Sequence, residues 1–437
     1  SRGSLDLPSN LQGIWAEESP RWGCDFHNNI NLQMNYWATE NTNMPSAHMP
    51  LLNYLRKMAA KRWNNYARNL VPATNGWTTH LMLNTFGTTG EYGGKYVESA
   101  GWNCTHIWQH YLYTQNREFL ADFFDTMYGA CLFYFDYLTD TDGDGRLEIP
   151  NRYSPEVGDG QAVAVHAQQI VIQHLRNTRD AALILGKTAK ADKCQEYIDR
   201  MYDGIDIKNG VQCEWKGQLS SNDNHRHLSH LMCLYPFAQV TPYDDDTRNF
   251  DGAYNALLNR GDSDDGLGVS WNTAWKMNLY ARSLQGDLAM RQLAYGMARR
   301  FAPDLKTINE NVFQIDAGAG VAAGMAEMLL QSYSGVIDLL PALPLSSWRG
   351  GSVSGLKAAG NYEVAIEWEN GEMLSALITD CISPAAMRDG TRIRVHASTL
   401  PGADITMLQV NGVNAIDADT PSFLLDSTPR PTYTYEP

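Results

Sequence analysis

The sequence predicts a mainly α-helical protein that ends in a smaller β domain. Up to about residue 335, apolar residues recur at three- and four-residue spacing, and strand-like alternation is scarce. Pro341-Ala342-Leu343-Pro344 breaks this pattern, and short β-rich runs dominate after it. We therefore predict a helical domain over residues 1–340 and an antiparallel, sandwich-like β domain over residues 341–437.

The individual elements are predicted from periodicity and turn residues. Leu51, Leu55 and Met58 recur at helical spacing, while Gly320 and Gly324 allow close contact between helices. The predicted helices cover residues 47–70, 107–128, 162–185, 189–201, 271–284, 287–301 and 320–333. The predicted strands cover residues 362–368, 373–379, 392–395 and 406–410, and the turn dipeptides between them are Asn370-Gly371, Asp389-Gly390 and Asn411-Gly412.

The helical region is too long for a single four-helix bundle. It also shows no fixed period of 20–50 residues, which a solenoid would require. A closed double ring of helices, the (α/α) toroid, accommodates such a region and brings its loops together at one end. Many enzymes that act on sugars use this architecture, although a fold alone does not define a function.

Composition excludes several classes of partner. The 34 Lys and Arg against 49 Asp and Glu give a net charge of −15, which disfavours nucleic acid and anionic membranes as partners. No apolar run approaches the roughly 18 residues of a membrane span. The seven cysteines lack CxxC spacing and indicate neither a zinc cage nor a disulfide framework. The 12 Trp and 22 Tyr, against 12 Phe, suit sugar faces and interfaces.

Two segments concentrate neutral hydrogen-bonding groups. Residues 22–37 contain His27, four Asn, a Gln and two Trp, and as a set they indicate a binding site, although a single Asn is more often a turn or cap. Residues 225–230 read His-Arg-His-Leu-Ser-His. Their histidine spacing does not match the HExxH zinc pattern, so a polar sugar or carboxylate pocket is as good an interpretation as a metal site.

Two loop carboxylates complete the chemistry. Glu156 follows Pro155, and a lone Glu in such a loop is usually solvated. Asp316 lies in an apolar, Gly-rich turn before a helix, where burial raises a carboxyl pKa and a helix N-terminus favours the charged form. Together with the amide, His and Trp clusters, they fit glycoside hydrolysis, in which one carboxyl protonates the leaving oxygen and the other activates the attacking group.

A short acidic loop raises a separate question about calcium. Asp140, Asp142 and Asp144 match the start of a calcium-binding loop. The twelfth position is Asn151, where a bidentate Glu would be needed. We favour a polar turn here and keep Ca²⁺ as the alternative.

Several blocks of the sequence form a recognisable series. They are Leu7-Pro8-Ser9-Asn10-Leu11-Gln12-Gly13-Ile14-Trp15, Asn29-Ile30-Asn31-Leu32-Gln33-Met34-Asn35-Tyr36-Trp37, Ser154-Pro155-Glu156, residues 225–231, Thr273-Ala274-Trp275-Lys276, residues 313–316 and residues 339–344. In matching order over essentially the whole chain, these blocks resemble glycoside hydrolase family 95. This family comprises inverting α-L-fucosidases that act on α-1,2-linked fucose, with some α-L-galactosidases.

The resemblance implies an (α/α)₆ catalytic barrel followed by a C-terminal β domain. In the family, an N-terminal β-sandwich precedes these two parts, and we expect it to be cleaved, deleted or lost from this chain. The resemblance also implies Glu156 as general acid and Asp316 as the residue driving the base side, with Asn29 and Asn31 holding the attacking water. The sugar-binding residues that it implies are His27, Trp77, His80, His227 and His230.

The chain departs from the family pattern in three places. Asn84 stands where the family usually has an acidic residue, residues 317–320 lack the usual Asn and aromatic, and residues 165–168 lack the usual Met-Asp. The acid/base pair is intact. Because the three altered segments surround the expected pocket, the sequence leaves the substrate open between L-fucose, L-galactose and another sugar, and it also allows an attenuated turnover.

The sequence is compatible with three functions. The first is an inverting α-L-fucosidase-like hydrolase that acts on an oligosaccharide or glycan and requires no metal. The second is a carbohydrate-binding protein that has kept the barrel but lost turnover. A phosphorylase ranks last, since no basic or Gly-rich anion site lies near Asp316 in the sequence. Because fucosylated glycans lie outside cells, we expect a secreted or periplasmic protein, and the oligomeric state is left open.

Overall fold

A computed structural model describes most of the chain. The described residues are 7–16, 18–90, 96–220, 224–261, 269–309, 312–333 and 335–382, with the backbone of four short strands between residues 391 and 426. Helices dominate up to residue 329. No helix among the described residues is long and apolar enough to cross a bilayer. The helices are α1 (Asn31–Met34), α2 (Pro45–Met58), α3 (Asn64–Leu70), α4 (Ser99–Thr114), α5 (Arg117–Tyr137), α6 (Val165–Ile184), α7 (Thr188–Arg200), α8 (Arg248–Arg260), α9 (Ser270–Arg282), α10 (Gly286–Arg291) and α11 (Asp316–Leu329).

Most predicted helices are confirmed, with adjusted ends. Those over residues 162–185, 189–201 and 271–284 correspond to α6, α7 and α9. The helix predicted over residues 47–70 forms α2 and α3, joined by the π-helical turn Ala59–Trp63. Helix α8 has no counterpart among the predicted elements.

The single helix predicted over residues 107–128 is wrong, because the chain breaks between α4 and α5. Gln115 adopts a left-handed conformation (φ 55°), which ends α4. The side chain of Asn116 then accepts a hydrogen bond from the backbone N–H of Phe119 (3.0 Å) and caps α5. Apolar residues on both sides pack into the same core, so the periodicity continues across the break.

Two later helices differ from the prediction in position or regularity. Helix α11 begins at Asp316, four residues before the predicted start, and ends where Leu330 becomes extended. The predicted helix over residues 287–301 consists of α10, the π-helical turn Gln292–Gly296 and the 3₁₀ turn Met297–Arg299.

Short hairpins between the helices position the loops. In a three-stranded sheet, the first two strands pair antiparallel and place His27 opposite Met82. Three separate two-stranded hairpins follow. These strands are β1 (Phe26–His27), β2 (Met82–Leu83), β3 (Thr89–Gly90), β4 (Tyr153–Ser154), β5 (Gly158–Asp159), β6 (Ile207–Lys208), β7 (Val211–Gln212), β8 (Ile308–Asn309) and β9 (Val312–Phe313).

The C-terminal part forms two sheets of mixed direction. Their strands are β10 (Leu330–Gln331), β11 (Ile337–Leu339), β12 (Gly350–Ala358), β13 (Tyr362–Glu369), β14 (Glu372–Asp380), β15 (Thr391–Val395), β16 (Leu408–Val410), β17 (Val413–Asn414) and β18 (Phe423–Asp426). One sheet has the order β10-β11-β15-β18 and the other β12-β13-β14-β16-β17. Among their strands, β12–β13 and β13–β14 pair antiparallel as predicted, whereas β11–β15, β14–β16 and β15–β18 pair in parallel. The parallel pair β14–β16 arises because the chain between them crosses to the other sheet and contributes β15.

The predicted turn at Asn370-Gly371 is confirmed between β13 and β14. Both residues have positive φ (54° and 83°), the conformation that an Asn-Gly hairpin turn favours. The predicted turns at Asp389-Gly390 and Asn411-Gly412 lie outside the described residues. Leu330–Gln331 and Ile337–Leu339, which the sequence assigned to the helical domain, pair within the first C-terminal sheet.

Close packing of α1 and α9 against α11 sets the position of the site. A Cβ atom added to Gly320 would lie 2.7 Å from the Met34 sulfur and 2.9 Å from the Ala274 Cβ. The buried side chains of Arg282 and Glu327 also join α9 to α11 through two hydrogen bonds (2.8 and 3.1 Å). The glycine therefore allows α1, which carries Asn31, to approach the helix that begins with Asp316.

We predict opposite effects for two alanine substitutions in α11. Gly320→Ala should destabilise the fold by about 1–3 kcal/mol, because the added methyl overpacks the contact with α1. Gly318→Ala should stabilise it by about 0.5–1 kcal/mol, because no atom outside the adjoining turn of the helix lies within 4 Å of the added carbon and alanine favours the helix. Urea unfolding of both variants measures the difference, and equal stabilities would contradict the packing described above.

Candidate active site

A cavity of about 290 Å³ lies where the loops between the helices meet. Its volume is near the lower end of the roughly 300–1,000 Å³ typical of small-molecule sites. Both polar and apolar side chains line it. The lining residues are Leu11, Arg21, Trp22, His27, Asn29, Asn31, Met82, Glu156, Arg226, His227, Val269, Trp271, Asn309 and Gln314.

A buried hydrogen bond joins the start of α1 to the start of α11. The Asn31 side-chain amide donates to Asp316 Oδ2 (2.6 Å), and the backbone N–H of Ala317 donates to Oδ1 (2.7 Å). Burial raises the pKa of Asp316 to about 6, although hydrogen bonds from Asn31, Ala317 and Asn309 act in the opposite direction. Asp316 can therefore take up or release a proton near neutral pH while Asn31 faces the cavity.

Asn29 provides a second amide at the deep end of the cavity. Its side chain is only 1% exposed. Neither its Oδ1 nor its Nδ2 has a hydrogen-bond partner among the described residues. A buried amide without partners is costly, typically about 1–3 kcal/mol, so this position favours a bound water or a sugar hydroxyl.

Glu156 lies between β4 and β5 on the more open side of the cavity. Its side chain is 24% exposed, and its Oε2 atom accepts a hydrogen bond from Arg226. The Nε2 atom of His227 lies 3.7 Å from the same oxygen. Burial favours the neutral acid, but the hydrogen bond and charge of His227 and the charge of Arg226 hold the pKa of Glu156 well below its usual range. Glu156 is thus ionised in this arrangement.

Two predicted histidines line the cavity. The Nδ1 atom of His27 lies 3.0 Å from a carboxylate oxygen of Asp25, which fixes the ring orientation. Burial lowers the pKa of His27, but Asp25, Glu156 and Asp316 together raise it by a larger amount. The pKa of His27 therefore lies above its ordinary value. His227 packs its ring against Trp271, 4.7 Å between centroids, and burial lowers its pKa.

The third predicted histidine, His230, supports the loop that carries Glu156 and does not line the cavity. Its Nδ1 atom lies 3.0 Å from the Glu214 carboxylate. The same carboxylate accepts hydrogen bonds from Ser154, which is two residues before Glu156, and from Arg260. Through Ser154, the side chains of Glu214, His230 and Arg260 thereby anchor one end of the hairpin turn between β4 and β5.

Trp77 and His80 are not brought to this cavity. The Trp77 indole donates to the Thr126 carbonyl (2.8 Å) and stacks on Trp63 in the helical core. His80 is fully buried, and the backbone N–H of Leu81 lies 2.7 Å from its Nδ1 atom. Their predicted sugar contacts find no support in this geometry, because both side chains are already engaged in the core.

Other lining residues were not predicted as site residues. Arg226 lies inside the His-Arg-His block, and its position between two histidines is the sequence feature that could have identified it as a site residue. Asn309 and Gln314, which are hydrogen-bonded to each other, flank the segment before Asp316. Trp271 lies at the start of α9, two residues before the Thr273-Ala274-Trp275-Lys276 block, and periodicity alone did not distinguish it from a core residue.

The proposed calcium loop already contains a cation of the protein. The Lys216 ammonium lies 2.8 Å from Asp142 and 2.7 Å from Asp144, and it also contacts Glu148 (2.6 Å). The side chain of Asp140 accepts backbone hydrogen bonds within the loop. A calcium ion would therefore compete with Lys216 for these carboxylates.

A second group of potential metal ligands is buried where α2 and α4 face each other. His48 and His110 each place Nδ1 2.7 Å from the same oxygen of Glu40, and His48 Nε2 lies 2.9 Å from His106. These are hydrogen-bond distances between neighbouring groups. Glu40, whose pKa is lowered to about 2 against the effect of burial, is satisfied by the histidines without a metal ion.

Comparison with known proteins gives a consistent family. A model of the glycosyl hydrolase family 95 catalytic domain matches residues 1–329, and a model of the family 95 C-terminal domain matches residues 331–407. The chain is 31% identical to alpha-L-fucosidase 2 from Arabidopsis thaliana, over 84% of this chain and 46% of that protein. It is 28% identical to a probable alpha-fucosidase A from Aspergillus niger, over 95% of this chain and 54% of that protein. The chain spans about half the length of these relatives.

Solved structures share the fold at low sequence identity. A putative kojibiose phosphorylase from the human microbiome matches with a TM-score of 0.55 and 9% identity, over 88% of this chain and 59% of that chain. A family 78 rhamnosidase from Bacillus sp. GL1 matches with a TM-score of 0.52 and 12% identity, over 95% of this chain and 41% of that chain. At such identities, the likeness describes the fold alone.

The raised pKa of Asp316 predicts a pH-dependent stability difference. Because its pKa is about 6 in the folded protein and 3.8 ordinarily, the native state gains stability below pH 4 and loses it as pH rises through about 6. Asp316→Asn should therefore become more stable relative to the parent between pH 4 and pH 7, by up to about 3 kcal/mol. Urea unfolding at several pH values measures this change.

Asp304→Asn is the matched control. Asp304 is exposed, and its hydrogen bond from Lys306 lowers its pKa, so its replacement should give no such gain as pH rises. A constant difference between Asp316→Asn and the parent over pH 4–8 would contradict the raised pKa.

Proposed function

Because the chain belongs to glycoside hydrolase family 95, we propose that it removes a terminal α-linked L-fucose, or L-galactose, from glycans with inversion of the anomeric centre. Glu156 protonates the leaving oxygen. Asp316, acting through the amide of Asn31, activates the attacking water, which the amide of Asn29 also holds. The helices close into an (α/α)₆ barrel around this site, and the reaction needs no metal ion.

The observation that carries this proposal is the arrangement of the two carboxylates at different depths. Asp316 is fully buried behind Asn31, whereas Glu156 has a side chain that is 24% exposed. An inverting glycosidase needs its base and its acid on opposite faces of the sugar, with room for a water beside the base. The unpartnered amide of Asn29 offers such a water a binding position.

The base side works through proton affinity. An amide alone is a poor base, but the Asn31 amide can take the proton of the water on its oxygen while its Nδ2 group gives a proton to the Asp316 carboxylate, to which it is hydrogen-bonded. With a pKa of about 6, Asp316 is ionised at neutral pH and still basic enough to contribute. The kcat/KM value should fall as pH drops below about 6.

The acid side requires a change at Arg226. While Arg226 is bonded to Glu156, the carboxylate stays ionised and cannot donate a proton. A sugar bound in the cavity would separate the two side chains and shield Glu156 from the guanidinium charge, which raises its pKa towards the neutral range where a general acid works.

The cavity volume favours one monosaccharide. At about 290 Å³, it accommodates a terminal sugar, and the remainder of the glycan lies outside. Leu11, Val269 and Trp271 are buried apolar residues of its lining. Apolar lining of this kind suits the methyl group that L-fucose carries in place of a hydroxymethyl group. The glycans that carry this sugar are extracellular, so we propose a secreted or periplasmic location.

The second candidate function is carbohydrate binding without turnover. It is favoured by the Arg226–Glu156 ion pair, which holds the presumed acid in its inactive form. In this case, calorimetry with fucosylated glycans would detect binding while no free monosaccharide is released. Release of free fucose that depends on Glu156 would eliminate it.

Substrates with different leaving groups test the separate roles of the carboxylates. For an α-1,2-fucosylated trisaccharide, Glu156→Gln should lower kcat/KM by about 10²–10⁴-fold, because the leaving oxygen must be protonated. For α-L-fucosyl fluoride, the loss should be much smaller, since fluoride departs without a proton. Asp316→Asn should lower kcat/KM for both substrates.

Two outcomes of the same assays would contradict the roles assigned to Glu156 and Asp316. If Glu156→Gln lowers kcat/KM equally for the trisaccharide and the fluoride, Glu156 is not the proton donor. If Asp316→Asn keeps near-normal activity on both substrates, the base assignment is wrong.

A further inference from the structure

The mouth of the catalytic cavity is marked by two side chains. Of the described residues that line the cavity, Arg21 and Trp22 are the exposed ones, and Trp22 is 40% exposed. Trp22 and the two residues after it all have positive φ (54°, 63° and 51°), so the backbone makes a tight left-handed turn where the indole is exposed. Because the cavity accommodates one sugar, the rest of a bound glycan must leave the cavity past Trp22.

A second depression begins at this mouth. It is a groove of about 370 Å³ that shares Trp22 and Met82 with the catalytic cavity. Met82 lies in β2, directly opposite the cavity residue His27 in β1. The small sheet that fixes His27 therefore also forms the base of the groove, and the two depressions have a fixed relative position.

The far side of the groove carries hydrogen-bonding groups suited to sugar hydroxyls. Asn84, Thr85 and Thr88 line it, and all three are exposed. The Oδ1 atom of Asn84 accepts the backbone N–H groups of Phe86 (3.0 Å) and Thr88 (3.1 Å), which fixes the orientation of its amide. Its Nδ2 group and the hydroxyl of Thr88 make no hydrogen bond to another described residue, so both are available to a ligand.

From this continuity, we propose that the groove binds the leaving-group saccharide, which is the sugar to which the terminal fucose is attached. Trp22 offers an apolar face to that sugar, and Asn84 and Thr88 bond its hydroxyls. This assignment rests on the proposed function, and it makes the groove the part of the protein that selects among glycans with the same terminal sugar.

Two conservative variants test this role without altering the turn. Asn84→Asp keeps the oxygen that accepts the backbone N–H groups and removes the donor, while Thr88→Val keeps the shape and removes the hydroxyl. Each variant should lower kcat/KM for an α-1,2-fucosylated trisaccharide by about two- to tenfold, as expected for the loss of one hydrogen bond. Neither should change kcat/KM for α-L-fucosyl fluoride, whose single-atom leaving group does not reach the groove.

Asn370→Asp, the same change at an exposed turn of the C-terminal sheet, is the matched control and should affect neither substrate. Unchanged trisaccharide activity in both groove variants would overturn the proposal. Equal losses on trisaccharide and fluoride would also overturn it, because the loop would then act only on the shape of the catalytic cavity. A parent protein that hydrolyses neither substrate would overturn the proposed function itself, and the groove assignment with it.

Discussion

The candidate site depends on one buried contact, the hydrogen bond from Asn31 to Asp316. It joins residues 285 positions apart and exists only because α1 packs closely on α11. Gly320 allows that approach, since any side chain there would meet Met34 or Ala274. The fold thus places a carboxylate in an environment that raises its pKa and presents an amide in front of it to the cavity. Burial of Asp316 destabilises the folded protein at neutral pH, and the resulting basicity is what a water-activating group needs.

The position of Glu156, the more exposed of the two carboxylates, is set by charge. Glu156 lies on a hairpin turn that Ser154, Glu214, His230 and Arg260 anchor from behind, while Arg226 contacts it from within the cavity. The two carboxylates of the site, one lining the cavity and one buried behind Asn31, therefore have pKa values shifted in opposite directions. Because the group that is ionised here is the one that must donate a proton, substrate binding and the position of Arg226 are coupled in the proposed mechanism.

Much of this arrangement was predictable from the sequence, and the failures have physical causes. Helical periodicity located α6, α7 and α9, but it could not reveal the break at Gln115, because α4 and α5 contribute to the same core. The blocks around Asn29, Asn31, Glu156 and Asp316 pointed to residues that meet in space. Trp77, His80 and His230 share the composition of a sugar site, yet their side chains are engaged by Thr126, by the backbone of Leu81 and by Glu214. Composition does not tell which partner a polar side chain finds. For the same reason, the sequence did not identify Arg226 as a residue of the site.

In the proposed reaction, a water held by Asn29 and Asn31 and activated by Asp316 attacks the sugar from the face opposite Glu156. The most direct test is proton NMR of the first sugar released from an α-L-fucosyl substrate, recorded before the anomers equilibrate. The account predicts that β-L-fucose appears first and that the α anomer grows only through mutarotation. If α-L-fucose appears first, the configuration is retained, and the assignment of Asp316 as a water-activating base is contradicted.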